Sequence, residues 1–214
     1  MIEEVKDRLA LVREKIARIR NPDEIVIVAV TKGFGPDTCR AALAAGLHVL
    51  GENRVHEAIL KMDEVPGAEW HLIGHLQTNK VRQAAGRFAL IHSVDSVRLA
   101  AELARVEPQQ AVLLEVNVAR EPQKHGADPD RAQEFITEIA SVVDLRGLMA
   151  MGPSQGDPAP AFRELRRIRE EAEQRLGKSL PVLSMGMSGD FEVAVAEGST
   201  MVRLGQALFG PRPS

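Results

Sequence analysis

A chain of 214 residues, 44% apolar and with a net charge of −3, has ample material for a buried core and no basic excess for a nucleic-acid partner. Its one cysteine, Cys39, excludes an internal disulfide, and the Met-Ile-Glu-Glu start has neither the basic opening nor the apolar core of a leader segment. No apolar stretch is long enough to span a bilayer, so the expectation is a soluble cytoplasmic protein with no membrane or nucleic-acid partner.

Ile2, Val5, Leu9, Val12, Ile16 and Ile19 recur every three or four residues among charged ones, which predicts a one-faced helix over 2–20 ended by Asn21-Pro22. Ile25 to Val30 is an unbroken apolar run, the pattern of a strand covered on both faces. It ends on Thr31-Lys32 and is cut off by Gly33-Phe34-Gly35-Pro36. Two readings of Lys32 are open here. It marks the exit of the strand into solvent, or it is a partly desolvated amine suited to attack a carbonyl.

Beyond 25–30, further strands are expected at 47–50, 70–73, 88–91, 111–118, 145–149, 181–184 and 200–204. Between them lie amphipathic stretches at 37–45, 54–64, 78–86, 95–106, 129–142, 160–176 and 189–197. Eight strands alternating with helices predict a single (β/α)8 TIM-type barrel over 1–214. Residues 206–211 are too short for a full last helix, so the N-terminal helix is expected to take its place in the outer ring. An open doubly wound sheet is the rival, disfavoured by the strand number and the lack of a G-x-G-x-x-G turn.

In such barrels the reactive groups sit at the C-terminal strand ends. The unusual polar and glycine-containing segments do follow the strands: Lys32, then Gly51-Glu52-Asn53, Gly74 to Lys80, His92-Ser93 with Asp95, Asn117, Ser184 to Asp190, and Arg203 to Gln206. Backbone amides near glycines after the last two strands suit an anion, which makes Ser184, Gly205 and Gln206 the phosphate candidates. Ser188 and Asp190 read as helix caps and His71 as a core or inter-strand histidine. His75 and His92 are placed nearer the rim, and with no dense His/Cys/Asp spacing no metal is expected. Glu52, Asn53 and Lys80 are candidates for polar ligand contacts, with pairing near the 54–64 helix as the other reading of Glu52.

Taken together, Ala29-Val30-Thr31-Lys32, Gly51-Glu52-Asn53, Trp70 to Gly74 with Leu76 to Lys80, Gly147 to Ala150, Leu183 to Ser188 and Gly198 to Gly205 closely resemble the pyridoxal phosphate homeostasis protein family. The resemblance runs from about residue 25 to Gly210. It implies a barrel akin to the N-terminal domain of alanine racemase, with pyridoxal 5′-phosphate (PLP) held as a Schiff base on Lys32. It further implies Asn53 beside the cofactor, Arg203 facing the pyridine nitrogen, and Ser184, Gly205 and Gln206 on the phosphate. Departures from the family pattern are Gly33-Phe34-Gly35 after the lysine, Arg54, His75, Gly189 and Gln206.

The resemblance implies PLP holding and delivery, with PLP-dependent apoenzymes as acceptors and the chain a monomer or weak homodimer. An arginine at the pyridine nitrogen would leave the ring unprotonated, and the sequence contains no tyrosine to act opposite the lysine, so turnover is not expected. The alternatives are a racemase using Lys80 or His75 as the opposing group, and a barrel enzyme whose Lys32 forms a Schiff base with a phosphorylated metabolite. Lys80 and Lys124, in rim loops, are the candidates for holding cofactor in transit.

Overall fold

The computed structural model describes residues 1–211. Eight parallel strands close into a barrel in sequence order. They are β1 (Val26–Val30), β2 (Val49–Glu52), β3 (Glu69–Leu72), β4 (Leu90–Val94), β5 (Ala111–Glu115), β6 (Asp144–Met149), β7 (Val182–Ser184) and β8 (Met201–Leu204). β1 pairs with β8 from Val26 opposite Met201 to Ala29 opposite Leu204, which shuts the ring. The open-sheet rival is thereby excluded. Residues 212–214, which the predicted domain includes, lie outside the described residues.

Around the barrel run α1 (Ile2–Ala17), α2 (Pro36–Ala44), α3 (Val55–Met62), α4 (Val81–Ala84), α5 (Val97–Val106), α6 (Ala132–Ala140), α7 (Ala159–Leu176), α8 (Phe191–Ala196) and the single-turn α9 (Gln206–Phe209). α1 buries Val5, Leu9, Val12 and Ile16 and packs against α2, α8 and α9, the place in the ring that α9 is too short to fill. Ile2 and Ile19, expected on the same stripe, are exposed: Ile2 is the first residue of α1, and Ile19 lies beyond its end at Ala17. The stretch expected as one helix over 78–86 is instead a 3-10 turn at Thr78–Lys80 followed by one turn of α4, which ends where Ala85 turns to extended backbone before Gly86. α7 buries Phe162, Leu165, Ile168 and Ala172 as its spacing predicts. Its outer charges pair along the helix, Arg167 with Glu171 and Arg166 with Glu170, a solvated face. Among the described residues no helix is long and apolar enough to cross a membrane.

Strand parity decides which side chains reach the barrel interior. Val28, Leu90, Leu113, Met149 and Met201 form an inner apolar cluster, separate from the larger core between barrel and helices. Val30 and Lys32 continue the parity of Val28, Arg203 that of Met201, and Asn53 that of Gly51. Gly51 itself is required by crowding, since a Cβ there would lie 2.7 Å from Val28 Cγ1. The same two-residue period therefore delivers Lys32, Asn53 and Arg203 to one mouth above that cluster.

Candidate functional site

A cavity of about 530 Å³ opens at this mouth, within the range of small-ligand sites. Lys32, Asn53, Arg203, Gly205 and Gln206 all line it, so five of the six predicted site residues converge. Val30, Phe34, Ile73, Met151 and Met187 supply the apolar part of the wall. Gly74 backs Asn53: a Cβ at Gly74 would collide with the Asn53 main chain.

Ser184 is placed differently from the expectation. It is fully buried, accepts from Arg203 Nη1 at 2.7 Å, and lies 3.1 Å from His92 Nδ1, outside the cavity wall. The serine that does line the cavity is Ser188, read from sequence as a cap. Its hydroxyl accepts from the Ala207 N–H at 3.1 Å and so ties the loop after β7 to the start of α9. Gln206, the first residue of α9, has no intrahelical acceptor for its N–H.

Arg203 is fixed at the cavity floor. Nη1 donates to the carbonyl and hydroxyl of Ser184, and Nη2 to the Ala150 carbonyl at 2.9 Å. These bonds use three of the five guanidinium hydrogens. Among the described residues, the remaining Nε–H and one Nη2–H have no acceptor and are left for a ligand. Burial lowers the Arg203 pKa to about 10, against the nearby charges of Glu115 and Asp190, so the group stays cationic at neutral pH.

Glu115, at the end of β5, faces the same interior with 4% exposure, and burial raises its carboxyl to about 7 despite Arg203. The folded chain therefore holds a proton on Glu115 more tightly than the unfolded chain, where the value is 4.5. That stability is fully present below pH 4.5 and is lost as pH rises through 7, by about 3 kcal/mol at most. Glu115→Gln should abolish this loss. In urea unfolding from pH 5 to 8.5 the variant is expected to gain on wild type as pH rises; parallel curves would contradict the assignment.

Glu52 does not face the cavity. It is wholly buried and binds Lys61 Nζ at 2.7 Å and the Thr31 hydroxyl at 2.6 Å, the pairing alternative of its sequence reading. Lys61 also donates to the Thr31 carbonyl at 3.0 Å and to Glu57 at 2.9 Å, and Glu57 accepts from the Gly33 N–H at 2.9 Å. The main chain on both sides of Lys32 is thus clamped by one buried charge cluster. Burial lowers the Lys61 pKa, but its bonds to Glu52 and Glu57 outweigh this and hold it above its ordinary value. Burial leaves Glu52 raised.

His71 is the inter-strand histidine expected, but His92 is not at the rim. β4 runs to Val94, further than predicted, and puts His92 mid-strand and fully buried. His75, on the rim and exposed, does not line the cavity. It comes together with Asp95 and His125 from three separate loops, their nearest ligand atoms within 4.8 Å of one another, a grouping that sequence spacing gave no sign of. The two imidazoles stack with centroids 4.1 Å apart and planes at 12°, so their nitrogen lone pairs lie in separate, nearly parallel planes, a poor arrangement for sharing one ion. Lys80 is exposed and outside the cavity wall, and Lys124 donates to the Gly152 carbonyl at 2.6 Å.

A closed (β/α)8 barrel with a lysine after β1, an arginine on β8 and a glycine turn behind it defines the alanine racemase N-terminal domain class, and the sequence model of that family matches residues 4–213. Within that class, the chain belongs to the pyridoxal phosphate homeostasis protein family. It is 40% identical to the protein of that name from Aquifex aeolicus over 96% of this chain and 97% of that one. It is 36% identical to the one from Escherichia coli K12 over 99% and 98%. The PLP-bound structure of PipY from Synechococcus elongatus superposes with a TM-score of 0.86 at 36% identity, covering 96% of this chain and all of that one. Alanine racemase from Corynebacterium glutamicum, at 17% identity and a TM-score of 0.81, is similar over 99% of this chain and 61% of its own length, a likeness of fold.

Proposed function

We propose that this chain binds PLP in the cavity at the barrel mouth, holds it covalently on Lys32, and releases it to PLP-dependent apoenzymes. The observation that carries the reading is the meeting, in one 530 Å³ cavity, of an amine, a cationic donor edge and an anion-suited turn. The PLP bound by the homologue PipY supports it. When bound, PLP supplies a reactive aldehyde and an electron-withdrawing ring.

Each lining residue has a role in that reading. Lys32 condenses with the aldehyde and one water leaves. The N–H groups of Gly205 and Gln206, with Ser188 beside them, receive the phosphate, and Ser188 takes over the part expected of Ser184. The Gln206 side chain is not required, because the backbone donors serve. Asn53 sits beside the ring, held by its contact with Gly74. Arg203 turns one of its two remaining donors to the ring nitrogen; because a guanidinium donates only, it keeps that nitrogen unprotonated and weakens the ring as an electron sink. The chain has no tyrosine, and neither Lys80 nor His75 lines the cavity to act opposite Lys32. These features support holding and delivery over racemisation.

Delivery is tested by mixing the PLP-loaded protein with an apoenzyme and following the regained activity. Reactivation should be faster than with free PLP at the concentration the loaded protein releases into buffer. Equal rates would overturn delivery while leaving binding untouched.

A further inference from the structure

Below Arg203 a line of buried polar groups runs down the barrel interior to its opposite end. Arg203 Nη1 meets Ser184 Oγ at 2.7 Å, Ser184 Oγ meets His92 Nδ1 at 3.1 Å, His92 Nε2 meets His71 Nδ1 at 3.0 Å, and His71 Nε2 meets Glu69 Oε1 at 2.9 Å. Ser184, His92 and His71 are 0%, 0% and 2% exposed, while the Glu69 side chain, at the first residue of β3, is half exposed. The mouth of the site is thus connected to the far face of the barrel by one unbroken series of contacts.

The two ends of the line fix its direction. A guanidinium only donates and an ionised carboxylate only accepts. With Glu69 ionised, His71 must carry its proton on Nε2, which leaves Nδ1 to accept. His92 must then donate from Nε2 and accept at Nδ1. The Ser184 hydroxyl hydrogen is drawn onto His92, and its oxygen is left to accept from Arg203. Every donor points from Arg203 toward Glu69. A second proton on His71, at Nδ1, would face the His92 Nε2–H, and burial holds both histidines below their ordinary pKa.

We propose that His92, backed by His71 and Glu69, is a positioning residue for Arg203: by taking the Ser184 hydroxyl hydrogen it keeps Ser184 Oγ an acceptor and locks the guanidinium with its free edge toward the cavity. The role toward PLP rests on the functional reading above, but the direction of the line does not. Both imidazoles are neutral and both are Nε2–H tautomers.

The direct test is two-bond proton–nitrogen correlation NMR of the imidazoles in the ligand-free protein at neutral pH. The expected pattern is a protonated Nε2 and a bare Nδ1 for His71 and His92. A protonated Nδ1 on either ring would overturn the proposal without any variant having to fold. The second test is PLP titration of wild type, His92→Leu, Ser184→Ala and the double variant, with the fold of each checked by circular dichroism. Each single change should raise Kd about tenfold, and the double variant should match the single ones, because both cut the same line. An unchanged Kd in a folded His92→Leu, or multiplying effects in the double variant, would overturn it. If wild type itself fails to bind PLP, the functional reading falls, and the NMR pattern still decides the line.

Discussion

Lys61→Met is expected to destabilise the fold by about 3–5 kcal/mol, the loss typical of breaking a buried ion pair from one side. Lys61 is 5% exposed and Glu52 not at all, so removing the ammonium leaves one carboxylate buried without its cation and Glu57 without its bridge to Glu52. The Thr31 carbonyl loses its donor in the same step. Urea unfolding measures the loss, and adding Glu52→Gln to Lys61→Met should recover part of it, since the orphaned charge is then gone. A Lys61→Met protein as stable as wild type would show that the cluster does not hold the β1 exit. The consequence reaches the site, because Thr31 and Gly33 flank Lys32 and both are anchored through Lys61 or its partner Glu57.

Lys32→Ala is expected to remove ligand stabilisation while sparing the fold. Lys32 is half-buried at the cavity wall and outside both apolar clusters, so the ligand-free variant should unfold within about 1 kcal/mol of wild type. Wild type at a PLP concentration a hundredfold above Kd should gain about 2.7 kcal/mol. Thermal or urea unfolding of both proteins with and without PLP gives the comparison. If the variant gains as much from PLP as wild type does, Lys32 is not the anchor.

The barrel is legible in the sequence because its strands are apolar on both faces and its helices on one, two periods that are hard to confuse over eight repeats. Strand ends are less so, and one early stop in β4 was enough to move His92 from the mid-strand to the rim. At β7 both Ser184 and Ser188 follow an apolar run; closure of the barrel turns Ser184 inward under Arg203 and leaves the loop serine in the cavity, which no local pattern distinguishes. The sequence reading gives Lys61 no role, yet Glu57 and Lys61 stand four apart, the spacing of a helical ion pair, and Glu52 lies just before that helix. That spacing was the available signal. The lines from Arg203 to Glu69 and among His75, Asp95 and His125 join residues far apart in sequence, and only the closed barrel brings them together.

The most direct measurement is borohydride reduction of the PLP-loaded wild-type protein followed by peptide mass mapping. One pyridoxyl-phosphate adduct, on Lys32, is expected, with loss of the visible absorbance band on reduction. An adduct confined to Lys80, Lys124 or another lysine, or protein that takes up no PLP, would contradict it.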